Sequence, residues 1–87
     1  MTIGANQSQQ PWRTIGTRLR AAREAGHLRQ VELALRLGVH RSMISQYERG
    51  QVRPSRGRLA QYAILLRLDP TELQLLAGYT PPRGFGR

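Results

Sequence analysis

The sequence predicts an all-α, compact domain of five short helices, and three observations carry that expectation. Apolar residues recur every three or four positions in five separate stretches, as they do on helices with one buried face. Glycine, proline or a small polar residue punctuates the stretches, and no period-two strand pattern is present. The 87 residues suffice for one small domain and not for two.

Taken in order, residues 1–12 read as a flexible N-terminal arm, polar and rich in Gln and Asn, with Pro11 before the first helical pattern. Trp12 itself is expected to pack. Thr14 is the expected N-cap of a first helix over about Ile15–Ala25, with Ile15, Leu19 and Ala22 inward and Gly26–His27 as its stop. A second helix is expected over Arg29–Leu37, with Leu33, Ala34 and Leu37 as its stripe. Gly38 then supplies the left-handed turn that ends it. The third helix, expected over Arg41–Arg49, puts Met43, Ile44 and Tyr47 on one side. Ser42, Ser45, Gln46 and Arg49 lie on another, and Gly50 closes it. Ser55 is a good N-cap for a fourth helix carrying Leu59, Tyr62, Ala63 and Leu66. Asp69-Pro-Thr-Glu72 opens a short fifth helix with Leu73, Leu76 and Ala77 inward, stopped by Gly78. The folded domain is therefore expected over 13–78, followed by an extended C-terminal tail over 79–87.

Charge is the strongest bulk signal. Fourteen basic residues face five acidic ones, for a formal net charge of +9. All fourteen are arginine. Codon usage in a GC-rich genome accounts for the missing lysine, since Ala, Gly, Leu and Pro are also plentiful. The size of the charge points instead to a polyanionic partner. The third helix offers an acid-free face of hydrogen-bonding groups and a fixed cation, which suits the major groove of double-stranded DNA.

Other classes find little footing. Without cysteine, neither a disulfide nor a thiolate metal site is possible. His27 and His40 stand thirteen residues apart with no carboxylate cluster, so no metal is expected. No nucleophile–base–acid set and no phosphate-cradling glycine loop is visible, so no enzyme, cofactor or small-molecule ligand is expected. No apolar run is long enough to span a membrane, and the N-terminus lacks the pattern of a signal peptide. A cytoplasmic, nucleoid-associated protein of a bacterium or phage is the expectation.

The central stretch QVELALRLGVHRSMISQYERG, together with its flanks, resembles the lambda repressor/Cro-type helix-turn-helix family, often called Xre. The resemblance rests on Ile15-Gly16, Leu19-Arg20, Arg23, Gln30, Leu33-Ala34, Gly38-Val39, Ile44 and Glu48-Arg49-Gly50. It continues through Pro54-Ser55, Leu59, Ala63, Leu66 and Leu73, and so covers about Thr14–Gly78. Three positions depart from the family pattern. Arg29 and His40 stand where Ser or Thr commonly caps the second and third helices, at an expected cost of about 1 kcal/mol each. Arg67 replaces the glycine usual after the fourth helix.

The resemblance implies that the third helix enters the major groove, its N-terminal part against base edges. It then assigns base contacts to Arg41, Ser42 and Gln46, with Ser45 a weaker candidate. Arg41 suits a guanine and Gln46 an adenine. It also implies that Gln30 contacts a phosphate and braces the recognition helix. Arg49, Arg53, Arg56 and Arg58 are the expected phosphate clamps, joined by His40 and Arg18. Glu48 is expected to pair structurally with Arg23 rather than to act as an acid or base. Apolar residues beyond the needs of one core predict a homodimer, with Leu75, Leu76 and Tyr79 as the expected contacts. Ile64, Leu65 and Phe85 belong to the same surplus. Val31 and Leu35 form a second candidate patch, which would suit a protein partner such as a toxin. The resulting expectation is a DNA-binding regulator, by default a repressor, binding a near-palindromic operator as a dimer. An antitoxin or adaptor is the alternative, and a non-specific nucleic-acid coating protein a third.

Overall fold

The computed structural model describes residues 11–80, which form five α-helices. These are α1 (Arg13–Ala25), α2 (Gln30–Leu37), α3 (Arg41–Glu48), α4 (Arg56–Leu66) and α5 (Pro70–Leu76). Every helix contributes at least one fully buried side chain to a single core: Ile15 and Leu19, Leu33, Ile44, Leu59 and Tyr62, and Leu73. Each such side chain contributes roughly 1.5–3 kcal/mol relative to exposure. The Tyr47 and Tyr62 rings meet edge to face with centroids 6.3 Å apart.

Caps explain most of the boundaries. Ser55 accepts from the Arg58 N–H and Asp69 from the Thr71 N–H, so α4 and α5 start where their cap residues stand. Gly38, at φ 73°, makes the tight turn between α2 and α3. The start of α1 differs from expectation. Thr14 lies inside the helix, and Trp12 takes the N-cap position without a side-chain cap bond. The cause is tertiary: the Trp12 N–H donates to Gly50 O at 3.4 Å and its ring packs on the core, which starts the helix early. Trp12 thus belongs to the domain rather than to an arm; residues 1–10 lie outside the described residues.

The two unorthodox caps fare differently. Arg29 makes no side-chain cap, but Glu32 accepts from its backbone N–H at 2.7 Å and satisfies that end from inside the helix. His40 does cap α3: its Nδ1 accepts from the Ser42 N–H at 3.1 Å. Arg67 takes the left-handed conformation that glycine would have taken, at φ 57°.

α1 and the end of α3 meet backbone to backbone. A Cβ on Gly16 would stand 2.4 Å from Tyr47 O and 2.7 Å from Glu48 O. One on Gly50, at φ 76°, would stand 2.7 Å from Arg13 Cα. Neither position tolerates a side chain without moving backbone. At the other terminus, Tyr79 does not begin a free tail. Its N–H donates to Gln74 O and its hydroxyl to Pro54 O, both at 2.9 Å. Residues 81–87, including Phe85, lie outside the described residues.

Candidate nucleic-acid interface

The candidate surface is built outward from a buried ion pair. Arg23 Nε and Nη2 donate to the two carboxylate oxygens of Glu48 at 2.6 and 3.0 Å, while Nη1 donates to Leu28 O at 2.8 Å. The hydrogen bond to Glu48 raises the Arg23 pKa above its ordinary value, against the opposing effect of burial. Only 2% of the Glu48 side chain is exposed. The carboxylate therefore ties α3 to α1 and to the α1–α2 turn, and it leaves no negative charge on the outer face.

A third donor reaches Glu48. Gln30 Nε2 donates to Oε1 at 3.0 Å from the first turn of α2. A carboxylate only accepts, so this bond fixes which end of the Gln30 amide faces inward. The carbonyl end points the other way and accepts from Arg41 Nη1 at 3.3 Å. A continuous polar chain thus runs from buried Arg23 to the first residue of α3. Beside it, the Ser42 hydroxyl stands 2.9 Å from His40 Nδ1, which also caps the helix.

Around α3 the sides divide cleanly. Ile44 and Tyr47 are buried, Arg41 and Ser42 exposed, and Ser45 and Gln46 half-buried on the following turn. Eight residues make a rod about 12 Å long, close to the roughly 12 Å width of the DNA major groove. The N-termini of α2 and α3 lie side by side here, so Gln30, His40, Arg41 and Ser42 gather at a common end rich in N–H donors.

The expected phosphate clamps do not gather with them. Arg53 donates from Nε to Ala77 O at 2.8 Å, and its guanidinium lies 3.7 Å from the Tyr79 ring centre and 4.8 Å from that of Trp12. Arg56 donates to Thr80 O at 3.1 Å and also stacks on Tyr79. Arg58 donates to Leu37 O at 3.2 Å, satisfying a carbonyl at the end of α2, and to Gln61 at 2.6 Å. Arg18 pairs with Glu72 at 3.5 Å. Each of these four arginines thus makes contacts within the chain through part of its guanidinium group. Arg49 is exposed and shares a cleft of about 230 Å³ with Arg13, Thr17, Arg20 and Glu48. Sequence reasoning missed Arg13 and Arg20 at this cleft, because nothing local to either one points across to α3.

The expected dimer contacts separate as well. Leu75 is exposed, Leu76 packs half-buried on the core, and Tyr79 is occupied by Arg53 and Pro54. Val31 and Leu35 are exposed as expected. Among the described residues, no group of three His, Asp or Glu side chains could hold a metal ion, and no helix is long and apolar enough to cross a membrane.

A family model described as Helix-turn-helix matches residues 19–73. The ImmF control region 10 kDa protein of Bacillus phage phi105 is 35% identical over 80 residues, covering 84% of this chain and 89% of the phage protein. An HTH-type transcriptional regulator of Mycobacterium tuberculosis is 40% identical over 67 residues, covering 77% of this chain and 48% of that protein. One of Sinorhizobium fredii is 47% identical over 55 residues, covering 63% of this chain and 28% of that regulator. The chain thus spans most of the phage protein, but about half or less of these bacterial regulators.

Proposed function

The chain belongs to the helix-turn-helix family of DNA-binding transcriptional regulators, of the lambda repressor type, and from that premise we propose a sequence-specific repressor that binds a short near-palindromic operator as a dimer. One observation carries the reading. The N-terminal half of α3 presents an acid-free polar face held in place by the Arg23–Glu48–Gln30 chain. Arg41 and Gln46 read base edges, Ser42 and Ser45 add shorter contacts, and His40 and Arg49 meet phosphates, joined by Gln30 through the second N–H of its amide nitrogen. The N–H groups of the paired helix ends strengthen those phosphate contacts. Arg18, Arg53, Arg56 and Arg58 keep further guanidinium N–H donors beside their bonds within the chain and complete the proposed phosphate set.

Symmetric half-sites require a two-fold partner, and Leu75 on α5 offers exposed apolar surface for it, with Leu76 behind. Repression follows from occupancy, since a bound dimer obstructs polymerase. A second reading, an antitoxin or adaptor gripping a protein through Val31 and Leu35, is favoured by the exposure of that pair. Co-purification with the product of an adjacent gene, lost on Leu35→Glu, would favour it.

Selection of bound sequences from random duplex DNA tests the main reading. The expected outcome is one enriched, near-palindromic motif, bound about a thousandfold or more tighter than its scrambled counterpart at physiological salt. Equal affinity for both would leave a charge-driven coating protein in its place.

A further inference from the structure

The groove between the C-terminal ends of α1 and α4 plays no part in the reading above. It measures about 690 Å³, and half-buried Leu28, Leu65, Leu66 and Leu68 line it. Arg18, already paired with Glu72, and exposed Arg36 and Arg67 also line it, and no carboxylate does.

Among the described residues, several arginines have no carboxylate within ion-pair distance, and two of them line this groove. Arg18, Arg20, Arg23 and Arg29 each have a carboxylate within 4.0 Å. Arg36 and Arg67 have no such ion pair among the described residues. Arg67 also holds φ 57°, a conformation that disfavours any side chain, so a cation stands where glycine would fit with less strain. Outside the groove's lining, α2 and α4 each carry an exposed apolar side chain. Leu35 and Ile64, sequence neighbours of Arg36 and Leu65, are 77% and 80% exposed.

We propose that this groove docks a short acidic, amphipathic segment of a partner protein, its apolar side chains on the leucines and its carboxylates on Arg36 and Arg67. Leucines across the groove are a poor match for a nucleic-acid backbone. A second copy of this chain is a poor match for the arginines, because it carries fourteen basic residues against five acidic ones. No residue of α3 or of the loop that follows it lines the groove. The docked segment and DNA are therefore held at the same time.

The test uses the full chain, saturated with duplex DNA, and a fluorescent amphipathic peptide with one leucine face and one glutamate face. Binding is read by anisotropy at physiological salt. The DNA-bound chain is expected to bind this peptide, and about tenfold more weakly after Arg36→Glu with Arg67→Glu. Replacing the peptide's glutamates by glutamine, or its leucines by serine, is expected to weaken binding by a similar factor. Arg36→Gln with Arg67→Gly removes the charges and relaxes the backbone, so it gives the same comparison should the double glutamate variant fail to fold. Displacement of the peptide by DNA overturns the proposal, since it would mean the peptide merely mimics phosphate on α3. Equal affinity for wild type and both variants, or no binding by wild type, overturns it too.

Discussion

The two ends of α3 are held by opposite means. Its C-terminal end is locked: Glu48 is buried in a bidentate pair, Gly50 admits no side chain, and Gly16 lets α1 touch the carbonyls of Tyr47 and Glu48. Its N-terminal end is exposed and held by a histidine cap and a single 3.3 Å bond from Arg41 to Gln30. The locked end sets where the helix sits. The open end leaves Arg41 and Ser42 exposed, and the proposed base contacts fall there.

The largest effect should come from unlocking the buried end. Arg23→Ala strands the Glu48 carboxylate beneath Gln30 and should cost roughly 3–5 kcal/mol in urea unfolding. A loss below about 1 kcal/mol would mean that the pair holds nothing. Gly16→Ala attacks the same junction sterically and should cost about 3 kcal/mol, because the atoms in the way are backbone. The open end should respond far less. His40→Ala removes one cap and should lower stability by about 1 kcal/mol, whereas His40→Ser should restore it, as a thermal melt of the three proteins would show.

The smallest change separates packing from charge. The Tyr62 hydroxyl is buried without a hydrogen-bond partner among the described residues, and burial pushes its pKa well above the ordinary phenol range. The folded chain keeps that proton at a pH where an unfolded tyrosine, with a pKa of about 10, has lost it. This contribution to stability is complete below about pH 10 and declines as pH rises beyond it. Tyr62→Phe should leave neutral-pH stability unchanged or raised by up to about 1 kcal/mol, and should flatten the alkaline decline. An unchanged decline would assign it to another group.

Most of the fold was legible because helical periodicity and capping chemistry are local. Ser55, Asp69 and Gly38 act where they stand, and the Arg23–Glu48 pair could be expected from the family pattern. What escaped was tertiary. Nothing around Thr14 reveals that Gly50 pins Trp12 and begins α1 two residues early. Nothing local shows that Tyr79 folds back beneath Arg53 and Arg56, a contact made across more than twenty residues. Arginine density announces a polyanion without saying which arginines are still available to meet it.

The direct test of the open end is the base-preference profile of Arg41→Ala beside that of wild type, from the same random-DNA selection. Preference should relax at one base pair of each half-site, by roughly 1–3 kcal/mol, with every other column unchanged. A uniform loss across all columns, or an unaltered profile, would contradict the assignment of α3's N-terminal face to the bases.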